Sequence, residues 1–159
     1  MIDDARTQVA QALEAAGVNT EIVTFEDSTA TSQQAADCLG VPVGAIAKSL
    51  CFMVADQPIL VIASGDTRID DRKMGQEFGV SRKKVKIATA DQVLEATGFA
   101  PGGVAPVGHK TKLTTLVDQA LSRFDTVYAA AGTPHAVFAT TYDELVKITQ
   151  GRAVDLVKD

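Results

Sequence analysis

Three short stretches of this 159-residue sequence carry residue types that could act on a substrate. The first is Ile46-Ala47-Lys48-Ser49-Leu50, where Lys48 stands among apolar neighbours at the start of a core strand. A lysine so placed either snorkels to water along its aliphatic stem or points into a lined cleft. In a partly dry cleft its ammonium would bind phosphate or polarise a carbonyl. The second is Gly102-Gly103-Val104-Ala105-Pro106. Its two glycines allow close backbone approach, and Pro106 fixes the exit without offering an amide donor. Free amides of such a loop can face a carbonyl oxygen or an anion. The same composition also makes an ordinary turn. The third is Ala130-Ala131-Gly132-Thr133-Pro134-His135, a glycine turn followed by a histidine that faces a pocket or sits on a rim.

Several chemistries lack their residues. No serine sits in a Gly-x-Ser-x-Gly elbow. His109 and His135 are the only histidines, and their spacing is not that of a metal pair. Cys38 and Cys51 lie beside apolar residues and read as buried, reduced thiols, not as a disulfide or an activated nucleophile. Neither a dinucleotide fingerprint nor a P-loop is present. What remains is one lysine, loop amides and one histidine, with no evident protein nucleophile and no metal or cofactor.

The elements that must position these groups are legible as patterns. Ile2, Ala5, Val9, Leu13 and Ala16 share one face of a helix expected over Asp3 to Ala16, which Gly17 stops. Alternation predicts a strand from Glu21 to Phe25. Thr31-Ser32-Gln33-Gln34 has the form of a capping box opening a short helix that ends at Gly40. Strands are expected at Leu50 to Ala55 and Ile59 to Ala63, joined by a turn at Asp56-Gln57-Pro58 into a central hairpin. The second of these is apolar throughout, as in a strand buried on both faces.

Further along, helices are predicted at Asp70 to Phe78, Ala90 to Thr97 (with Val93 and Leu94 inward) and Thr141 to Ile148, the last with Thr141 and Glu144 as a capping box. Strands are expected at Val85 to Ala88, Leu113 to Val117, Asp125 to Ala130, Ala136 to Thr140 and Ala153 to Leu156. Gly98 to His109 reads as a shaped loop. Strands come both in hairpins and after helices, so the class is α+β with a mixed sheet.

Length and composition suit one domain over residues 1–159. The N-terminus lacks the regions of a signal peptide, and no apolar run is long enough to span a bilayer, so a soluble, cytoplasmic protein without membrane contact is expected. A net charge of −5 argues against broad nucleic-acid binding, which rests on many phosphate contacts. A local contact with one RNA end stays open. Positive charge gathers at Arg82, Lys83, Lys84 and Lys86, and again at His109, Lys110 and Lys112.

These stretches together resemble the YbaK/prolyl-tRNA synthetase-associated editing family. The matching segments follow one another in family order: Ala30 to Ala36, Val43 to Leu50, Ala63 to Asp70 with Lys73 after it, Gly98-Phe99, Gly102 to Pro106, Val107-Gly108-His109, and Ala131-Gly132-Thr133. The resemblance covers about Ala5 to Val157. It implies a mixed sheet curled into a barrel-like core with surrounding helices. It also implies an aminoacyl-tRNA deacylase that removes wrong amino acids from tRNA, notably tRNA for proline, sometimes beside prolyl-tRNA synthetase. The family's critical lysine maps onto Lys48, its Gly-x-x-x-Pro loop onto Gly102 and Pro106, and a pocket histidine of some members onto His135.

On this reading the catalytic set is Lys48 with the amides of Gly102, Gly103 and Val104. The substrate-binding set is Thr31, Ser49, Ser64, Asp66, Pro106, Gly108, Gly132, Thr133 and His135. The substrate would be the 3′ aminoacyl-adenosine end of mischarged tRNA. The attacking group would be water, a ribose hydroxyl or, with cysteine, the substrate's own thiol. Which of Cys, Ala, Ser or 2-aminobutyrate is removed stays open. Two other functions fit the same residues: a non-catalytic module that binds an aminoacyl or nucleotide-like ligand, and a hydrolase of small esters or thioesters.

Overall fold

The computed structural model describes residues 4–158. Among them, in chain order, are α1 (Asp4–Ala15), β1 (Ile22–Thr24), α2 (Ser32–Leu39), β2 (Ile46–Val54), β3 (Gln57–Ser64), α3 (Asp71–Phe78) and β4 (Val85–Ile87). Then follow α4 (Ala90–Thr97), β5 (Thr114–Asp118), β6 (Val127–Ala130), β7 (Ala136–Thr140), α5 (Tyr142–Thr149) and β8 (Arg152–Val154). Short 3-10 turns lie at Val43–Ala45, Arg82–Lys84 and Gln119–Arg123. Ile2 and Asp3, assigned to the first helix by periodicity, lie outside the described residues. No helix among those described is long and apolar enough to cross a membrane.

The fold is α+β, as expected. The strands form one mixed sheet in the order β1-β7-β6-β2-β3-β5-β8, with β4 added to β2. Its path is open, with β1 at one end and β8 at the other. The β2–β3 hairpin occupies the middle. Its turn is Ala55-Asp56, both at positive φ (47° and 66°), the geometry of a two-residue hairpin turn. The turn is therefore shorter than Asp56-Gln57-Pro58, and Gln57 and Pro58 already pair with Val54 and Met53.

Two large cores sandwich the sheet, and a smaller cluster of Ala35, Ala36 and Ile46 lies between α2 and the start of β2. Leu60 and Ile62 of β3 enter one with Val9, Leu13, Phe99 and Phe138. Ile59, Val61 and Ala63 enter the other with Phe52, Met74, Leu116 and Leu156. Strand β3 is thus buried on both faces, as its unbroken apolar run implies. In α4, Val93 is buried but Leu94 is 51% exposed, so only one of the two residues expected inward faces the core.

Local chemistry sets the helix ends. Thr31 and Gln34 form the predicted capping box on α2. At α5, Thr141 Oγ1 accepts from the Glu144 amide at 3.1 Å, but the Glu144 carboxylate accepts from the Thr140 hydroxyl at 2.6 Å, so the box is half made. Both cysteines are free; Cys51 is buried, whereas Cys38 is only partly so.

The boundary that matters most for function is the start of β2. It begins at Ile46, four residues before Leu50, so Lys48 and Ser49 are strand residues and not a lead-in.

Candidate functional site

One edge of β2 is interrupted. On the side away from β3, β2 pairs with β6 at Ile46 and Ala47 and with β4 from Phe52 to Val54. Between these partners only Cys51 is held, its carbonyl accepting from the Ala88 amide at 3.0 Å. Hydrogen bonding in an antiparallel pair alternates along the strand. The Gly65 amide donates to the Ile46 carbonyl at 2.8 Å, so the even residues of β2 bond toward β3 and the odd ones away from it. The main-chain N–H and C=O of Ser49 therefore face the gap. A cavity of about 370 Å³ fills this opening. Lys48, Ser49, Thr31, Gly102 and Val104 line it, with Ala35, Ile46, Val93, Tyr128 and Val137 as apolar wall.

Successive strand residues point to opposite faces. Ala47 and Cys51 join the core that holds Val93, Val104 and Phe99, so Ser49 shares that face. Leu50, Phe52 and Val54 belong to the other core, so Lys48 leaves on the opposite side. Lysine and glycine loop thus reach one opening from the two faces of the sheet.

Lys48 Nζ donates to the Thr67 carbonyl at 2.6 Å. An ammonium has three donors, so two are left for a ligand. Partial burial lowers the Lys48 pKa from the ordinary lysine value; the Asp66 charge opposes this and Arg68 reinforces it.

The turn carrying Thr67 is braced from below. Thr67 Oγ1 donates to the Ser64 carbonyl at 2.8 Å, and the Ser64 hydroxyl donates to the Gly44 carbonyl. Arg123 Nη2 donates to Ser64 Oγ and to Asp66 Oδ1, each at 2.8 Å. This Arg123 bond, ahead of smaller effects, holds the Asp66 carboxyl below the usual carboxylate range. Ser64 and Asp66, expected at the substrate, instead support the turn beneath Lys48.

The glycine loop is shaped by two different needs. Gly102 has φ +89°, a conformation that side chains rarely adopt. Gly103 is set by contact: a Cβ there would lie 2.8 Å from Thr133 Cα. Thr133 therefore backs the loop and does not line the cavity. The Gly103 amide donates to the Ala100 carbonyl at 3.1 Å and closes the turn, which removes it from the expected set of free donors. Gly102 and Val104 are the two loop residues of that set at the cavity.

Pro106 and Gly108 line a separate cavity with His109. His109 Nε2 donates to the Ala105 carbonyl at 2.7 Å and so anchors the loop exit. Burial lowers its pKa, so at neutral pH it adds no charge to the Lys110–Lys112 cluster. Gly132 packs against α1, where a Cβ would meet the Ala5 carbonyl oxygen at 2.7 Å. His135 is exposed, with Nδ1 donating to the Asp27 carbonyl at 3.1 Å, and is not part of the cavity wall. Sequence reasoning missed Thr29, which lines the cavity, and Arg123, whose partners lie 57 and 59 residues away. Among the described residues, no group of three or more His, Cys, Asp or Glu is placed to hold a metal.

Comparison with known proteins gives the class first. The structure superposes on a crystal structure described as a candidate trans-editing enzyme for prolyl tRNA synthetase, with TM-score 0.90, 38% identity and 98% of each chain covered. The sequence model of the aminoacyl-tRNA editing domain matches residues 26–148, and the chain belongs to that family. Uncharacterized protein YwhH of Bacillus subtilis (strain 168) is 38% identical over 141 residues, covering 87% of this chain and 88% of YwhH. A proline–tRNA ligase of Lactobacillus gasseri is 37% identical over 78 residues, which is 49% of this chain and 14% of the ligase.

Proposed function

We propose that this protein is an aminoacyl-tRNA deacylase that acts in trans on small, wrongly attached amino acids, with tRNA for proline as the first substrate to test. The observation that carries this reading is the interruption along β2, which brings Lys48 and the Gly102–Val104 loop to one cavity. The ester linking amino acid and terminal ribose would lie in that opening. From one face, the Lys48 ammonium would hold the ester carbonyl or a terminal phosphate. From the other, the Gly102 and Val104 amides would receive the oxyanion. Loss of one such donor typically costs about 3 kcal/mol of transition-state stabilisation. A water molecule attacks the carbonyl carbon, or a cysteine substrate's own thiol does so and departs as a cyclic thioester. Attack by the neighbouring ribose hydroxyl would only move the ester along the ribose and leave water to complete release. The ester C–O bond breaks, and the ribose oxygen leaves with a proton.

The domain's acidity favours weak tRNA binding by the chain alone. Arg82, Lys83, Lys84 and Lys86 lie beside the β2–β3 turn and along β4, whose far end reaches the cavity at Ile87, and would offer phosphate contacts to the RNA outside the cavity. A prolyl-tRNA synthetase partner would raise the local concentration of mischarged tRNA, and tRNA charging sets the workplace in the cytoplasm. The test is deacylation of proline tRNA charged with Ala, Cys, Ser or 2-aminobutyrate. At least one should be hydrolysed, and Lys48→Ala should abolish turnover while its fold survives. Unchanged hydrolysis in Lys48→Ala across the panel removes the lysine from the mechanism.

A further inference from the structure

Asp118 is fully buried at the end of β5 and lies outside both the cavity and the mechanism above. Burying a carboxyl is costly unless hydrogen bonds compensate it. Here both oxygens are used. Oδ2 accepts from the Ala120 amide at 3.0 Å and caps the 3-10 turn Gln119–Arg123. Oδ1 accepts from the Leu156 amide at 2.7 Å, 38 residues along the chain. A cap needs only the first bond, which serine, threonine or asparagine would also make. The second needs a side chain that accepts at two separate oxygens, and among these four residues only aspartate has them.

Each bond leads on to one flank of the turn that holds Lys48. On the first flank, the Ala120 carbonyl accepts from Arg123 Nε at 2.7 Å, and Arg123 Nη2 donates to Ser64 and Asp66. On the second, the Leu156 carbonyl accepts from the Asp70 amide and the Arg68 carbonyl accepts from the Lys158 amide, both at 2.8 Å. Val157 pairs with Ile69, and its carbonyl accepts from Lys73 Nζ at 2.6 Å. Two segments that meet at one carboxylate thus hold the turn from both sides. Thr67, whose carbonyl accepts from Lys48 Nζ, lies between the flanks.

We infer that Asp118 is a positioning residue: it fixes the 3-10 turn and residues 155–158 together, and through them sets where Thr67 holds the Lys48 ammonium. Its effect on rate rests on the deacylase reading, whereas its effect on Lys48 does not. A turn braced on one side can still pivot; bracing on both sides removes that freedom. Lysine has a flexible four-carbon stem, and a hydrogen bond to a fixed carbonyl selects among its rotamers.

Three variants test this. Asp118→Asn keeps one acceptor but turns a donor toward the other amide, so it loosens both flanks. Arg123→Ala frees the first flank. Lys158→Pro frees the second by removing the amide that Arg68 uses. Arg123 and Lys158 are exposed, so these two variants should fold even where Asp118→Asn does not. Gly79→Ala, at the far end of α3, is the control for a modest loss of stability.

The readout is NMR at neutral pH on protein carrying lysine labelled at Cε, with the Lys48 signal identified by its loss in Lys48→Met. An anchored ammonium gives a signal apart from those of freely rotating lysines. That signal should move toward them in all three variants and stay in place in Gly79→Ala. Deacylation at saturating substrate should slow about 100-fold in Asp118→Asn, as for a misplacement of about 1 Å, and less in the other two. A Lys48 signal that stays in place in either Arg123→Ala or Lys158→Pro overturns the inference, because that flank is then dispensable. A signal that moves as expected, in a protein whose wild type hydrolyses no mischarged tRNA, sustains the positioning and removes the deacylase. Wild-type turnover that all three variants keep in full removes Asp118 from the mechanism and leaves the deacylase standing.

Discussion

Gly103→Ala tests the loop by its packing alone. Gly103 has an ordinary φ, so an alanine there meets no dihedral penalty. Its Cβ would lie 2.8 Å from Thr133 Cα and 2.9 Å from both Thr133 C and N. All three atoms are backbone on the turn between β6 and β7, so no side chain can swing aside. Either the loop lifts or the turn yields. Overpacking of this kind costs about 1–3 kcal/mol. A domain of this length loses roughly 2–4 °C of Tm per kcal/mol, so a fall of about 2–12 °C is expected. The larger effect should be on rate. Gly102 and Val104 flank the displaced residue, and a misplacement of about 1 Å can cost about 100-fold. Single-turnover deacylation and thermal melts measure both quantities. Wild-type rate in a variant with lowered Tm would sink the claim that the loop amides take part. Gly79→Ala is the contrast: at φ +66° with open space around it, it should lose about 1 kcal/mol of stability and no activity.

Three more outcomes are expected. Lys48→Met should abolish deacylation yet raise Tm at neutral pH, because the native ammonium is partly desolvated. Since the folded pKa of Lys48 is lowered, this stability gap should narrow as pH rises through that value, which melts across an alkaline series would show. If the charged form is the working one, kcat/KM corrected for spontaneous hydrolysis should decline on the alkaline side below the ordinary lysine value, and Lys48→Arg should remove that decline. Arg123→Ala should cost up to about 1 kcal/mol, as for a partly exposed pair, and slow deacylation by loosening the turn under Lys48. Asp66 is held below its ordinary value, so the stabilisation is present at neutral pH and lost as pH falls through the lowered pKa. Wild type and Arg123→Ala should therefore converge in acid.

What was legible in the sequence was mostly local. The α2 capping box depends on residues three apart, and α4 lies between a threonine cap and a glycine, so both emerge from short-range chemistry. The apolar run of β3 likewise announces burial on both faces. Lys48, Ser49, Thr31, Gly102 and Val104 were singled out and do share a cavity. The opening between them was not legible, because it exists where β4 and β6, from distant parts of the chain, stop short of each other on β2. Nor does a motif reveal which of its amides is spent internally. Gly102, Gly103 and Val104 look equivalent as letters, yet the Gly103 amide closes a turn. His135 looked poised beside a glycine turn, but Asp27 holds its ring at the surface.

The break along β2 has a consequence for how such a protein can change. Groups that belong to the polypeptide backbone cannot be deleted by substitution; a mutation can only shift them. Side chains such as Ala35, Val93 and Val137 can be exchanged singly, and in the proposed deacylase each exchange would alter the room and polarity offered to a bound acyl group. On that proposal, selectivity would drift through ordinary point mutation, while groups supplied by the chain's own amides would persist for as long as the sheet folds.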